Sequence, residues 1–321
     1  MDTFLYLIVQ GRIIKSTGQH YWILSSGSIY QGVLRGSIRL EGRKTTNPLA
    51  VGDLVNFKLH PTDEAIITGI LPRSNYLIRK SVNLSKQTHI LASNMDLAVL
   101  VASWKMPKTS NGFLDRFLIT CEAYHIPSLL VFNKIDLLNE AETAGLENWM
   151  QDYLRIGYQV IAISAHNPEQ ITTHLQPWLN LKLSVFTGHS GAGKTTLLNR
   201  LCPELQLKTN AISEQHKKGK HTTTFAELHE WRPQSYIVDT PGIQEWGLME
   251  IQANDLHRYF PEFKHYGSNC KFSSCTHSHE PECAIRLAYQ AKNPLLWRYP
   301  AYLNMLESDE FNWKPWERKK N

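Results

Sequence analysis

The feature that most restricts the fold is a glycine-rich segment at residues 188–195, Gly-His-Ser-Gly-Ala-Gly-Lys-Thr. It matches the pattern GxxxxGK[ST], whose glycines let backbone N–H groups turn inward around phosphate oxygens. An apolar stretch, Ser184–Thr187, precedes it, and a helix-like stretch, Lys194–Leu201, begins within it. A phosphate loop between a strand and a helix is typical of a parallel sheet covered by helices. The segment therefore predicts an α/β fold.

Apolar strand-like stretches recur from about residue 91 and are separated by segments of helix length, as an α/β sheet requires. Chemistry in such a sheet belongs at the carboxyl ends of the strands. Polar or glycine residues stand close to that end of four of them, at Asn133, Ser164, Gly188 and Asp239. The predicted strands are Leu97–Ala102, Leu129–Phe132, Val160–Ser164, Leu183–Thr187 and Tyr236–Val238.

A second motif, Asn-Lys-Ile-Asp at residues 133–136, matches the NKxD tetrapeptide that reads guanine. The carboxylate of Asp136 can accept hydrogen bonds from guanine N1–H and the N2 amino group, and adenine has neither donor there. Ser164 and Ala165 resemble the element whose amide meets guanine O6, although His166 stands where many families carry Lys. In ordinary GTPases the phosphate loop precedes NKxD. The reversed order here predicts a circularly permuted GTPase core.

Residues 239–242, Asp-Thr-Pro-Gly, look like the DxxG element of GTPases. In that element Asp239 would hold Mg²⁺ through water, and the Gly242 amide would sense the γ-phosphate. The segment follows a predicted strand after the phosphate loop, where DxxG belongs.

Residues 217–224 lie where switch I is expected. We expect Thr223 to ligate Mg²⁺, and its two neighbouring threonines stay open as alternatives. Ras-like enzymes place a water-orienting Gln directly after DxxG, but this chain has Ile243 there. His221 is therefore the candidate for positioning water, because an imidazole can accept a proton.

The predicted nucleotide site joins these segments, with Lys194 reaching the β- and γ-phosphates and Thr195 offering its hydroxyl to Mg²⁺. The residues assigned to catalysis are His221, Lys194 and Thr223; those assigned to Mg²⁺ are Thr195, Thr223 and Asp239; and those assigned to the nucleotide are Asn133, Lys134, Ile135, Asp136, Ser164, Ala165, Gly188, His189, Ser190, Gly191, Ala192, Gly193, Lys194, Thr195, Thr196, Asp239 and Gly242.

Three cysteines and a histidine cluster near the C-terminus in the spacing Cys-x4-Cys-x-His-x5-Cys. Such a cluster in a cytosolic chain favours a metal over disulfides. Three thiols and an imidazole suit one tetrahedral Zn²⁺ and leave no open position, which is typical of a structural site. His265 and His279 are spare donors that could replace the histidine of the motif. The predicted ligands are Cys270, Cys275, His277 and Cys283.

The N-terminal part is basic and rich in short strand-like stretches. Residues 1–90 hold 11 Lys/Arg and 5 Asp/Glu, a difference of +6, and the rest holds 23 and 24, a difference of −1. A basic balance favours an anionic partner such as nucleic acid. The pattern predicts a small barrel of OB or SH3-like type, with strands at Tyr6–Val9, Tyr21–Leu24, Ser28–Leu34, Leu54–Leu59 and Ala65–Ile70.

The bulk composition is ordinary, with 42% hydrophobic and 20% charged residues. The apolar run Phe4–Val9 is too short to span a bilayer and lacks the basic start of a signal peptide. We therefore expect a cytoplasmic protein, a monomer with no membrane partner. After residue 246 we expect short helical pieces at Asn254–Phe260, Ala284–Ala291 and Pro294–Glu307.

Together these motifs resemble the small ribosomal subunit biogenesis GTPases of bacteria over nearly the whole chain. Matches include 188–195, His-Thr-Thr-Thr at 221–224, 239–242 and the cysteine cluster, while Lys220 stands where that family is expected to carry Arg. The resemblance implies an N-terminal all-β OB-type barrel at 1–72, a circularly permuted P-loop GTPase core at 73–246 and a zinc-binding helical domain at 247–321. It also implies GTP hydrolysis stimulated by the small ribosomal subunit, with rRNA as a partner.

Two other functions stay open at this point. One is an RNA-binding module in which nucleotide only stabilises the core, although the complete set of Lys194, Thr195 and Asp239 argues against it. The other is a nucleic-acid enzyme that uses zinc catalytically, although four protein ligands argue against that.

Overall fold

The computed structural model describes residues 8–18, 20–35, 48–59, 64–80, 88–206, 226–239 and 251–308. Within these ranges the chain forms a closed barrel, a mostly parallel sheet with helices on both faces, and a helical C-terminal part. Each part has its own cluster of buried apolar side chains, and the sheet has one on each face.

The barrel closes because its first strand pairs with both the second and the fourth. The neighbour order is β1-β2-β3-β5-β4, and β3 and β5 run parallel. This is the arrangement of an OB barrel, so the structure decides between the two predicted barrel types. The strands are β1 (Val9–Ser16), β2 (Tyr21–Ser25), β3 (Ser28–Leu34), β4 (Leu54–Leu59) and β5 (Ala65–Ile70).

The described first strand, β1, extends from Val9 to Ser16 and shares only Val9 with the predicted strand Tyr6–Val9; Tyr6 and Leu7 lie outside the described residues. An apolar run suggested the earlier position. A barrel strand instead has one face inside and one outside, so only every second residue needs to be apolar. Ile13 is buried in the barrel, while Arg12 and Lys15 are the polar residues that hid this strand.

A hairpin that the sequence pattern did not predict follows the barrel, formed by β6 (Tyr76–Lys80) and β7 (Thr88–Ser93). A buried ion pair ties it to the barrel. Arg73 donates two hydrogen bonds of 2.6 Å to Asp53, and the Ser93 hydroxyl donates another of 2.6 Å to the same carboxylate. Because Asp53 is fully buried, these bonds replace the water that it loses on folding.

The central sheet has the neighbour order β10-β9-β8-β11-β13-β12. The first five of these strands run parallel to one another, and β12 pairs antiparallel with β13. All residues of β8 and β11 are buried, as expected for strands covered on both faces. The five predicted strands are confirmed, although β10 ends at Ala162, before the predicted Ser164. The elements in chain order are β8 (Leu97–Ser103), α1 (Asn111–Ala123), β9 (Ser128–Asn133), a 3₁₀ turn (Ile135–Leu137), α2 (Glu140–Arg155), β10 (Gln159–Ala162), α3 (Pro168–Gln170), a π-helical turn (Ile171–Leu175), α4 (Gln176–Leu179), β11 (Leu183–Thr187), α5 (Lys194–Leu201), a 3₁₀ turn (Pro203–Leu205), β12 (Glu227–Arg232) and β13 (Ser235–Asp239).

The barrel and the central sheet are continuous, because β1 pairs with β12. Lys15 lies opposite Glu227 at this seam, and their side chains form a 2.9 Å ion pair.

The C-terminal part consists of short helical pieces. The predicted helix at Asn254–Phe260 is a 3₁₀ helix, and the predicted piece at Pro294–Glu307 is divided in two. Pro300 explains the division, because proline fits the first turn of a new helix and not the interior of one. The elements are 3₁₀ helices at Ala253–Tyr259 and Pro261–Phe263, α6 (Lys264–Gly267), α7 (Ala284–Gln290), a 3₁₀ turn (Pro294–Leu296) and α8 (Tyr299–Leu306).

A buried arginine joins this C-terminal part to α1. The Nε atom of Arg298 lies 2.9 Å from Asp115, and its Nη1 atom lies 3.5 Å from Glu262. Its guanidinium also lies over the ring of Phe260, 4.8 Å from the ring centre. Burial raises the pKa of both carboxyl groups, and the charge of Arg298 opposes that rise.

The predicted domain boundaries after residues 72 and 246 stay predictions, and the second falls in 240–250, outside the described residues. No helix among the described residues combines the length and apolar character needed to cross a membrane.

Candidate nucleotide site and metal cluster

Five parallel strands, β10, β9, β8, β11 and β13, end at the same edge of the central sheet. Ser103 at the end of β8 lies beside Asn133 at the end of β9, and Phe186 in β11 lies beside Asp239 in β13. The phosphate loop and the NKxD segment leave the sheet at this edge. The topology thus brings together the segments that the sequence predicts to bind the nucleotide.

The phosphate loop packs too closely against its neighbours to carry side chains at two of its glycines. A Cβ atom on Gly193, whose φ is 91°, would lie 2.2 Å from the side-chain nitrogen of Asn133. One on Gly188 would lie 2.3 Å from the carbonyl oxygen of Val101. The loop then enters α5 at Lys194, so its backbone N–H groups precede a helix N-terminus, where an anion is stabilised.

Asn133 connects three parts of the site through its side chain. Its amide nitrogen donates to the carbonyl of Ala192 in the phosphate loop at 3.0 Å, and its amide oxygen accepts from the N–H of Ala165 at 2.8 Å. The side chain is buried, with 3% of its residue surface exposed. Asn133 therefore holds residues 188–195 at a fixed distance from the Ser164-Ala165 segment.

The rest of the NKxD segment turns away from β9 and exposes its carboxylate. Lys134 has a left-handed backbone, with φ of 68°, and Asp136 lies exposed in the 3₁₀ turn Ile135–Leu137. The ammonium group of Lys134 donates to the carbonyl of Met106 at 2.7 Å. An exposed carboxylate at this point is available to a purine.

The Ser-Ala segment is held in place by hydrogen bonds to its backbone. The N–H of Ser164 donates to Gln170 at 2.7 Å, and the N–H of His166 donates to the Ser164 hydroxyl at 3.2 Å. The N–H of Ala165 is bonded to Asn133 here, so its assignment to guanine O6 stays a prediction.

The ring of His189 in the phosphate loop contacts that of Phe113 near the start of α1, with ring centres 3.8 Å apart and the ring planes tilted by 35°. Burial lowers the pKa of His189. The sequence assigned His189 to the nucleotide but gave no sign of this contact, because Phe113 lies far away along the chain in an apolar helix.

Part of the predicted site lies outside the described residues. His221, Thr223 and Gly242 lie outside the described residues, and only the backbone of Asp239 is described. Their roles in holding Mg²⁺, sensing the γ-phosphate and positioning water stay predictions.

The three cysteines and His277 of the C-terminal cluster come together, with their ligand atoms all within 4.8 Å of one another. The Nδ1 atom of His277 lies 3.5 Å from the sulfur atoms of both Cys270 and Cys283. His265 is exposed, and His279 is paired with the Ser278 hydroxyl at 2.9 Å. This group of four could hold a metal ion.

The protonation of the free cluster follows from its burial. Burial raises the pKa of the Cys275 thiol to about 12 and also raises that of Cys283. Burial, assisted by the nearby His257, lowers the pKa of His277 to about 4. The imidazole is therefore neutral at pH 7 and can act as a ligand, whereas the thiols must lose protons to bind a metal.

A carboxylate and two tyrosines support the turn between the ligands. Glu280 accepts hydrogen bonds from the N–H and hydroxyl of Thr276 at 2.7 and 2.6 Å. The Tyr299 hydroxyl donates to the carbonyl of His277 at 2.7 Å, and Tyr302 donates to that of Thr276. Burial alone would raise the pKa of Glu280, but its hydrogen bonds from Thr276 and from neighbouring backbone N–H groups lower that pKa to about 2. The tyrosines come from α8 and were not predicted to contribute.

Comparison with known families gives two matches along the chain. Residues 70–249 match the family described as RsgA GTPase, and residues 10–67 match the RsgA N-terminal domain.

Two curated relatives are named small ribosomal subunit biogenesis GTPase RsgA. One, from Flavobacterium johnsoniae, is 44% identical over 95% of this chain and 94% of its own. The other, from Bacteroides fragilis strain YCH46, is 43% identical over 94% of this chain and 97% of its own.

Two solved structures share the fold. YjeQ from Thermotoga maritima superposes with a TM-score of 0.75 at 29% identity, over 94% of this chain and 98% of that one. YloQ, described as a circularly permuted GTPase, also gives 0.75 at 26% identity, over 97% of this chain and 98% of that one. The permuted order of motifs is therefore a property that this chain shares with a solved protein.

Proposed function

This chain belongs to the RsgA GTPase family, and from that premise we propose that it hydrolyses GTP to GDP and phosphate during maturation of the small ribosomal subunit. The observation that carries the nucleotide part is the side chain of Asn133, which joins the phosphate loop to the base-reading segments. The names of the relatives support the ribosomal part.

The base side of the site selects guanine through Asp136. Its exposed carboxylate accepts hydrogen bonds from guanine N1–H and the N2 amino group, while the stem of Lys134 covers one face of the base. Adenine has neither donor, so it forgoes hydrogen bonds to a charged acceptor that are worth about 1.5–3 kcal/mol each.

The phosphate side stabilises the charge that develops during hydrolysis. Backbone N–H groups of the phosphate loop and the ammonium of Lys194 surround the β- and γ-phosphates. Thr195, Thr223 and Asp239 would hold Mg²⁺, which neutralises phosphate charge when it is bound. His221 would hold the attacking water, since Ile243 has no hydrogen-bonding side chain.

The C-terminal cluster holds one structural Zn²⁺. A sulfur at about 2.3 Å and a nitrogen at about 2.1 Å from a tetrahedral zinc lie about 3.6 Å apart. The 3.5 Å separations between His277 and two of the sulfur atoms fit this value. Since all four positions are filled by protein ligands, the ion stabilises the fold and performs no chemistry.

The partner of this chain is the small ribosomal subunit, contacted as a monomer in the cytoplasm. The basic N-terminal 90 residues supply a surface for rRNA, with OB barrels being common carriers of single-stranded nucleic acid.

The test is phosphate release from GTP by the purified full-length chain, with and without purified small ribosomal subunits. Slow turnover alone and marked acceleration by the subunits are expected, while ATP is left intact. A turnover rate that the subunits do not change would contradict the ribosomal part, and equal hydrolysis of ATP would contradict the assignment of Asp136.

The proposed role of His221 has its own test on saturating subunits. Loss of one positioning group costs on the order of 100-fold to 1,000-fold in turnover. His221→Ala should show a loss of this size with unchanged subunit binding. Stimulated turnover equal to wild type would remove His221 from the reaction.

A further inference from the structure

The segment Ser103–Thr109, which joins β8 to α1, closes on itself beside the nucleotide site; we refer to it as the clamp loop. The N–H of Ser103 donates to the Thr109 hydroxyl at 3.0 Å, and the N–H of Thr109 donates to the Ser103 carbonyl at 2.9 Å. The Ser103 hydroxyl also donates to the carbonyl of Lys105. These bonds fix the two ends of the clamp loop against each other.

The clamp loop is anchored to α2, the helix that follows the NKxD segment. The ammonium group of Lys105 lies 2.7 and 2.8 Å from the two carboxylate oxygens of Glu142. Trp104 packs edge-on against Trp149, with ring centres 5.5 Å apart. The hydrogen bonds from Lys105 and from the N–H of Asn139 lower the pKa of Glu142, so this carboxylate is charged at pH 7.

The tip of the clamp loop reaches both sides of the nucleotide site. The carbonyl of Met106 accepts the 2.7 Å hydrogen bond from Lys134 of the NKxD segment. Pro107 faces the phosphate loop, where a Cβ atom on Gly191 would lie 3.0 Å from the proline ring. Met106 itself has 63% of its surface exposed, so its backbone, rather than a packed side chain, makes the contact with Lys134.

A lysine ammonium on a flexible stem has many conformations, and ordering it on binding costs conformational entropy. A partner that already holds the ammonium in the free protein removes part of that cost. The carbonyl of Met106 can do this only if the clamp loop keeps its position, and Lys105 is its charged anchor.

We propose that Lys105 and Glu142 are positioning residues for the guanine nucleotide: their ion pair holds the clamp loop so that the Met106 carbonyl fixes Lys134 where its stem covers the base. This inference rests on the proposed function and deepens it, since it concerns the same site. The two residues act through Lys134 and touch no nucleotide.

The test measures dissociation of GDP carrying a fluorescent group on its ribose from the full-length protein, after addition of excess unlabelled GDP. Affinity changes of this kind act mainly on the dissociation rate. Lys105→Met and Glu142→Gln should each raise that rate about threefold to tenfold, as expected for loss of a partly exposed ion pair that orders a contact. Lys105→Arg keeps the pair and should stay within about twofold of wild type.

The substitution at 142 is chosen to spare the helix. Glu142 also accepts from the N–H of Asn139, which caps α2, and glutamine retains that acceptor. Asp152→Asn on the same helix is the matched control, because it removes the exposed ion pair with Arg155 without touching the clamp loop. Its dissociation rate should equal that of wild type.

A double-mutant cycle separates positioning from a general structural effect. In a Lys134→Met background the ammonium is gone, so Glu142→Gln should cause no further change in the dissociation rate. A fully additive effect in that background would overturn the inference, as would a wild-type rate for Glu142→Gln in the normal background. If the wild-type chain bound no guanine nucleotide, the proposed function would fail first, and the inference would fail with it.

Discussion

The nucleotide edge and the metal cluster differ in how much of each exists before a ligand arrives. The nucleotide edge is made mainly of backbone at the ends of parallel strands, and β8 and β11 beneath it are buried along their whole length. The metal cluster is made of side chains on irregular segments between short helices, the longest of which has eight residues among the described elements of this part. The buried sheet therefore holds the nucleotide edge in place. The metal cluster has no such support, so we expect a bound metal ion to hold its side chains together.

The buried side chains show the same contrast. Two apolar clusters sandwich the central sheet, whereas the C-terminal part has one small cluster that includes Phe260, Phe263 and Tyr302 and two of the ligand cysteines. Small cores of this kind commonly need a metal for stability. We therefore expect loss of the metal to unfold the segment around the cluster, and loss of the nucleotide to leave the central sheet folded.

The largest effect is expected for Cys275→Ser. Serine removes one of four ligands, so the protein should lose its metal and the segment 251–308 should lose its cooperative fold. Elemental analysis should fall from one zinc per chain to none, with a lower melting temperature. The sheet should still bind GDP within a few-fold of wild type. Full zinc content and an unchanged melting curve would contradict the assignment.

Metal affinity should depend steeply on pH, because the raised pKa values of Cys275 and Cys283 mean that the free thiols carry protons. Binding then releases at least the protons of these two thiols, and none from His277 above its pKa of about 4. Protons are bound in the metal-free state, so acid favours release of the metal. Apparent affinity should rise at least about a hundredfold per pH unit near neutrality. Proton release measured in weakly buffered titrations should give two or more protons per metal ion; one or none would contradict the cluster chemistry.

Arg298 links the two regions, so its loss tests whether they are coupled in stability. Arg298→Met leaves Asp115 and Glu262 buried without their cation, which should cost about 3–5 kcal/mol in the free energy of unfolding. The exposed Arg258, paired with Asp255, provides the control. Arg258→Met should change the free energy of unfolding by less than about 0.5 kcal/mol. Equal losses for the two variants in denaturant titrations would rule out the buried link.

Alanine substitution at two glycines, one in the phosphate loop and one outside it, distinguishes the effect of backbone strain from that of a steric clash. Gly193 and Gly157 both have positive φ, of 91° and 100°, but a Cβ atom on Gly157 meets nothing within 4 Å. Each alanine variant should lose about 1–2 kcal/mol of stability from strain. Only Gly193→Ala should also displace Asn133 and weaken GDP binding, by about tenfold or more. Equal GDP affinity in the two variants would contradict the close packing of this loop.

The meeting of the phosphate loop and the NKxD segment at one edge of the sheet was predictable, because both signals are local. The segments 188–195 and 133–136 each follow a buried strand, and strands of a parallel sheet must end together. The barrel type could not be predicted, because it depends on the pairing of β3 with β5, which no local pattern records. Most of β1 was not predicted, because a half-buried strand containing Arg12 and Lys15 is not a continuous apolar run.

Long-range polar contacts were also beyond the sequence. Lys105 and Glu142 are two charged residues among many, and only the fold places them together. Arg298 resembles a surface residue in the sequence, although it is among the most buried residues described. The clustering of Cys270, Cys275, His277 and Cys283 was predictable, because three cysteines and a histidine at such close spacing are typical of a zinc site.

The most direct test of the nucleotide site is binding of GTP and XTP to wild type and to Asp136→Asn, by isothermal titration. Replacing the carboxylate with an amide removes an acceptor for guanine N1–H and supplies a donor for the carbonyl that xanthine carries at position 2. We predict that the variant binds GTP at least about 100-fold more weakly and prefers XTP, with zinc content unchanged. GTP affinity equal to that of wild type would contradict the assignment of this edge as a guanine-selective site.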